Sequence, residues 1–175
     1  LLYYNTLPFV CSIPLLVALI VFYPLSGLAF TDAQHLTPKH ITQDNNGDYW
    51  IRKPREKTNN MCNIPLLDIP RMIAEKYKSH PECIKKGVVL PVPSNQRMNS
   101  YLKEIADVCG IKKTLSTHIA RHTFACIAIA NKVSMESIAK MLGHSDLRTT
   151  KIYAKLLDKT VSEEMNVLKR KFSAV

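Results

Sequence analysis

Residues 1 to 31 carry no charged side chain, and that limits the fold more than any other feature of the chain. The part from Leu7 to Phe30 is apolar and of spanning length, so it is either a membrane segment or a buried piece of a globular core. Pro8, Pro14 and Pro24 divide it, Ser12, Ser26 and Gly27 interrupt it, and no basic n-region stands ahead of it as in a signal peptide. What remains, residues 15 to 23, has the length of a core helix, and no membrane partner is expected. The formal charge therefore sits on residues 32 to 175, where 24 Lys and Arg oppose 14 Asp and Glu, a net +10. Such density favours a polyanionic partner, nucleic acid first, although a solvated basic surface has the same arithmetic.

The rest of the composition is that of a packed domain. With 46% apolar residues and only 5 glycines, disordered, collagen-like and low-complexity classes are excluded. Cys11, Cys62, Cys83, Cys109 and Cys126 are scattered, with no CxxC or Cys/His cluster, which argues against a disulfide framework or a structural zinc. The expectation is a reducing, cytoplasmic setting with no metal and no other cofactor.

Local signals outline one domain. Thr31 or Asp32 caps a short turn through Leu36, ended by Pro38. The turn cluster 43–48 separates strands at 39–42 and 49–53, and the polar stretch 54–60 leads to a third extended piece at 61–65, which together make a small antiparallel sheet. Helices follow from Pro70 to Tyr77, from a cap at Asn95 to Cys109 with Gly110 as the stop, and from a cap at Ser116 or Thr117 to about Asn131. Ser134 caps another that ends at Gly143, Ser145 or Asp146 caps a helix over 147–156, and an amphipathic piece covers 161–172. The fold class is mainly α with a small antiparallel sheet, an α+β domain, and no linker divides it.

His118 and Arg121 lie three apart in a predicted first helical turn, so both side chains leave one face and can converge on an anion. Downstream, Gly143 breaks a helix, His144 sits in the break, and Tyr153 follows nine residues later. Each piece alone has an ordinary structural explanation, a surface pair, a C-cap histidine or a half-buried aromatic.

In this order, His118-x-x-Arg121, Leu142-Gly143-His144 and Tyr153 resemble the boxes of the tyrosine recombinase (phage integrase) family. The likeness extends to Ala120 to Ala125 and Thr149 to Ala154. Leu90 to Gln96 and Leu36 to Pro38 are similar to integrases of Bacteroidetes mobile elements. It runs from about residue 15 to the end, so residues 1–175 resemble the catalytic domain, with the core-binding and arm-binding parts of such enzymes absent.

The resemblance implies site-specific DNA cleavage and rejoining without metal, serving integration or excision of a mobile element. Tyr153 would be the nucleophile, forming a 3′-phosphotyrosyl link. Arg121 would clamp the non-bridging oxygens, and His118 and His144 would donate to them, with His118 also helping to deprotonate the tyrosine. Lys57, in a turn between strands, is the implied general acid, with Lys53 a weaker competitor. The family's first arginine is missing, because Ala29 stands where it belongs in Leu25 to Phe30. Arg55 is the expected replacement, since along an extended segment it would face the same side as Lys57. Lys53, Lys112, Lys113, Lys132, Arg148 and Lys151 are expected DNA-backbone contacts on double-stranded DNA. His35, His40, His80 and His122 have no such argument and read as structural or surface residues. The family also implies a monomer without DNA and a tetramer on DNA through exchange of the 161–172 tail, in a bacterial, nucleoid-associated setting.

Two other readings stand beside this one. Residues 135–156 have the outline of a noncatalytic helix-turn-helix DNA binder, and Ala29 fits a degenerate integrase that only binds DNA. A type IB topoisomerase shares the chemistry but not the integrase boxes outside the catalytic residues.

Overall fold

The computed structural model describes residues 7–153 together with Met165, Asn166, Lys169 and Phe172, with side chains from Pro14 onward. The uncharged start forms α1, Leu7–Ser26, longer than the expected core segment and with Pro14 and Pro24 inside it. Each proline removes one helical hydrogen bond. The helix persists because Leu16, Leu19, Phe22 and Tyr23 are buried where α1 lies against the sixth and third helices. Among the described residues no helix is long and apolar enough to cross a membrane.

After Gly27 the chain enters α2, Phe30–Gln34, whose N-cap is Ala29 rather than Thr31 or Asp32. Asp32 does not cap because its carboxylate is used at longer range, as shown below. Pro38 starts a single 3-10 turn, Pro38–His40, instead of ending a helix. That turn takes residues expected in the first strand, so β1 is only Ile41–Gln43. β2, Tyr49–Pro54, and β3, Met61–Pro65, complete an antiparallel sheet in the order β1-β2-β3. Ile51 faces Ile41 on one side and Ile64 on the other, and Lys53 faces Cys62.

The remaining helices are α3 (Asp68–Tyr77), α4 (Pro81–Lys86), α5 (Asn95–Val108), α6 (Thr117–Ala130), α7 (Met135–Leu142) and α8 (Leu147–Thr150). α4 was not expected, although Pro81 at its first turn and Gly87 at its end are ordinary helix signals, and His80 accepts from the Glu82 amide. α5 is capped by Ser94 and not Asn95, because the Ser94 hydroxyl accepts from the Arg97 amide. The last expected helix is α-helical only through Thr150 and tightens into a 3-10 turn, Lys151–Tyr153. Among the described residues, then, the second helix of the helix-turn-helix outline is one α-helical turn followed by one 3-10 turn. Residues 154–156 and most of the expected 161–172 helix lie outside the described residues.

The core joins α1, α6 and α7 to the inner face of the sheet through Leu19, Phe22, Leu28, Ile51, Ile64, Ile129, Ile138 and Leu142. Gly27 turns the chain between α1 and α2 at φ +64°, and a Cβ there would stand 2.5 Å from the Phe124 ring. The close approach brings the Gly27 carbonyl over α6, where Arg121 meets it.

Candidate active site

Arg121 projects from α6 into the core and is 4% exposed. Its guanidinium donates to the Gly27 carbonyl at 2.8 Å and to the Leu142 carbonyl at the end of α7. Two helix ends thus fix the fork from behind. Burial lowers its pKa first and the Arg55 charge adds to that, while Cys62, Asp32 and Tyr153 oppose them. An arginine stays charged throughout.

Gly143 closes α7 at φ +61°, with its amide donating to the Lys140 carbonyl and the His144 amide to that of Ala139. A Cβ on Gly143 would stand 2.8 Å from both Arg55 Cδ and Cys62 Sγ, so the glycine lets the hairpin lie directly on the helix end. Asn60 donates to the Gly143 carbonyl across the same junction, at 3.4 Å. His144 is half-buried beside it, with Nδ1 2.8 Å from the Thr150 hydroxyl. Burial, then the Arg121 and Arg55 charges, push its pKa down to about 4, so the imidazole is neutral near pH 7. In the tautomer whose Nδ1 accepts from the Thr150 hydroxyl, Nε2 carries the hydrogen and can donate to an anion.

Arg55 reaches the same place by a different route from the one expected. Residues 55–60 form a tight turn, with the Arg55 amide donating to Asn60, the Asn59 amide to Arg55, and Asn59 at φ +57°. Strand parity therefore does not link Arg55 to Lys57. Arg55 instead turns inward, with a side chain 15% exposed and Nε 3.7 Å from Asp32 Oδ2. Asp32 is 1% exposed and its other oxygen accepts from the Glu56 amide at 2.8 Å. Arg55 Nε and Asp32 Oδ2 are buried without a hydrogen-bond partner among the described residues.

Tyr153 is 6% exposed, its ring edge-on to His122 at 5.4 Å, and His122 is in turn edge-on to His118 at 4.4 Å. Burial raises the phenol pKa, the Arg121 charge lowers it, and the Cys126 thiol raises it. Burial, His118 and Arg121 lower the pKa of His122. His118 is exposed on the first turn of α6.

The structure thus brings Arg55, Arg121 and His144 to the end of α7, with Tyr153 in the field of Arg121 and His118 beyond His122. Lys57 is exposed at the tip of the β2–β3 turn. Two expected DNA contacts are placed differently. Lys53 is 3% exposed and its ammonium is 2.6 Å from Glu56 Oε1, because it faces inward on β2. Lys132 follows the far end of α6, roughly 20 Å along the axis from His118 at 1.5 Å per residue, so it does not border this site. Arg148 is exposed and pairs with Asp146 at 2.6 Å. Lys112, Lys113 and Lys151 are exposed. Asp32, Cys62, His122 and Thr150 were missed. Only Asp32 left a signal, as the first charge after an uncharged run and a glycine turn.

A preset cluster of two guanidiniums and an imidazole donor suits a phosphoryl group, and a phenol beside it suits nucleophilic attack. A sequence profile described as the phage integrase family matches residues 15–160. A tyrosine recombinase of Pseudothermotoga lettingae is 38% identical over 61 residues, covering 35% of this chain and 21% of that protein. Tyrosine recombinase XerD of Staphylococcus aureus is 38% identical over 60 residues, covering 34% and 20%. The chain matches about a fifth of the length of these relatives. Among solved structures, XerH site-specific recombinase in a post-cleavage complex with palindromic difH substrate has a TM-score of 0.67 at 18% identity, covering 87% of this chain and 45% of that one. A lambda integrase dimer bound to a COC′ core site has a TM-score of 0.61 at 15% identity, covering 79% and 51%. These two share the mostly helical fold with its small antiparallel sheet.

Proposed function

The chain belongs to the phage integrase family, and from that premise we propose that it cleaves and rejoins DNA strands at a specific site through a 3′-phosphotyrosyl intermediate. Tyr153 Oη forms a bond to phosphorus, the bond from phosphorus to the 5′ oxygen breaks, and Lys57 gives its proton to that departing oxygen. The phenolic proton leaves by way of His118. Arg121 and Arg55 take the charge that grows on the non-bridging oxygens, and His144 donates to one of them through Nε2. Arg55 stands in for the arginine missing at Ala29. Protein cations supply the electrostatic stabilisation, so the step as written uses no metal. The free 5′-hydroxyl of another strand reverses the attack and joins it.

One observation carries this reading. Arg55, Arg121 and the neutral imidazole of His144 meet around the Gly143 junction that closes α7, and the Tyr153 phenol lies within the field of Arg121.

As part of the same proposal, residues 1–175 are the catalytic domain of an integrase of a Bacteroidetes-type mobile element, acting on double-stranded DNA in the bacterial cytoplasm. It is monomeric without DNA and tetrameric on it through exchange of its C-terminal tail. Lys112, Lys113, Arg148 and Lys151 contact the DNA backbone.

The test is a pool of nicked suicide duplexes randomised around the nick, incubated with the chain and resolved under denaturing conditions. A covalent adduct with wild type and none with Tyr153→Phe is expected. Retained binding with no adduct would favour the degenerate integrase, which the missing arginine at Ala29 independently suggests.

A further inference from the structure

The β2–β3 turn contains a charge network that the chemistry above leaves unused. Lys53 occupies an inward position on β2, between exposed Arg52 and half-buried Pro54, where an apolar residue would normally sit. Its side chain is 4% exposed, and burying an ammonium costs several kcal/mol unless a partner offsets it. The partner is Glu56, three residues on, at 2.6 Å.

Glu56 is held at more than one point. Its amide donates to buried Asp32 Oδ1 at 2.8 Å, and its carboxylate also lies 3.6 Å from His35 Nδ1. His40 and Lys53 are the other charged or titratable groups whose field reaches that carboxylate. Backbone and side chain of one turn residue are thereby pinned to two different elements. The residue that follows it is Lys57, otherwise free to swing on a long exposed side chain.

We infer that Glu56 is a positioning residue for Lys57, and that the buried Lys53 ammonium serves as its anchor. Lys53 is on this view neither a DNA contact nor a competing general acid. With Glu56 gripped, the backbone of residue 57 starts from one place and its ammonium sweeps a limited volume near the leaving oxygen. Without the grip, the turn carrying Lys57 samples more arrangements and the proton arrives less often. The inference rests on the reading of Lys57 as general acid.

The test separates proton delivery from everything else. Nicked suicide duplexes are taken from the randomised pool that wild type captures, and made with either oxygen or sulfur at the 5′-bridging position. A thiolate leaves without a proton, so sulfur bypasses the general acid. Glu56→Gln is isosteric on a side chain 42% exposed, and its fold is checked by thermal unfolding. It should slow cleavage of the oxygen duplex by about 10- to 100-fold, less than the roughly 10²- to 10⁴-fold that general acid catalysis contributes because the acid itself is retained, and leave the sulfur duplex within about 3-fold of wild type. Lys53→Met should give the same pattern, and Lys57→Ala a stronger version of it. Arg121→Ala should slow both duplexes. Equal loss on both duplexes for Glu56→Gln and Lys53→Met, or no loss on either, overturns the inference. If Lys57→Ala shows no sulfur rescue, or wild type forms no Tyr153-dependent adduct on either duplex, the functional reading falls and takes the inference with it.

Discussion

Replacing Gly143 by alanine should separate backbone strain from pressure on the active site. Gly143, Gly110 and Gly87 all have φ between +61° and +66°. An alanine in that left-handed region costs roughly 1–2 kcal/mol wherever it is placed. At Gly110 and Gly87 a Cβ meets nothing within 4 Å, so the backbone cost is the whole effect. For a chain of this size that lowers the thermal midpoint by about 2–8 °C. At Gly143 the same Cβ stands 2.8 Å from Arg55 Cδ and Cys62 Sγ, and must gain about 0.6 Å to reach ordinary contact. The Cys62 side is packed in the core, 1% exposed, so Arg55 gives way. Displacing a phosphate clamp by a large fraction of an ångström should slow cleavage by about 10- to 100-fold. The measurements are thermal unfolding of the three variants and single-turnover cleavage of captured suicide duplexes. Gly110→Ala and Gly87→Ala should cleave at wild-type rates when folded, and Gly143→Ala should not. If all three cleave alike, the packing of Arg55 on the helix end does not matter to the reaction.

Other consequences follow from the same geometry. Arg55→Ala should impair cleavage nearly as badly as Arg121→Ala, by about 10²- to 10³-fold, the range for loss of one transition-state donor, measured as single-turnover adduct formation; near-normal cleavage would eliminate Arg55 as the substitute for the arginine missing at Ala29. Asp32→Asn should loosen Arg55 and the Glu56 amide together, so it should slow cleavage more than Glu56→Gln, and sulfur at the bridging position should rescue it only in part. His144 has a folded pKa of about 4 against an ordinary 6.5, so between those values the unfolded chain binds more protons than the folded one. Its contribution is fully present above pH 6.5 and is lost as pH falls toward 4. His144→Gln should therefore flatten the fall in the urea midpoint between pH 6.5 and 4.5, and an unchanged slope would contradict the burial of a neutral imidazole.

The local architecture was largely legible because its signals are local. Ser134 and Gly143 bound α7 in the sequence as they do in the fold, and the strands around 49–53 and 61–65 lie within β2 and β3. α1 exceeded its expected length because tertiary burial of Leu19 and Phe22 outweighs two prolines, which no local rule weighs. Arg121, His144 and Tyr153 were named through a family pattern, and in the fold His144 and Tyr153 each lie within the field of Arg121. Their supports were not visible, because they act across long separations in the chain. Arg121 meets a carbonyl 94 residues away, and Asp32 holds an amide 24 residues away. Lys53 was misplaced because strand alternation could not say which face was the core. His122 looked ordinary until the fold stacked it between His118 and Tyr153.

The most direct measurement is to digest the denaturation-resistant adduct and locate the attached nucleotide by mass spectrometry. The expected result is a 3′-phosphoryl nucleotide on Tyr153 with a free 5′-hydroxyl on the released strand. Attachment through a 5′-phosphate, or to any residue other than Tyr153, would contradict the central claim.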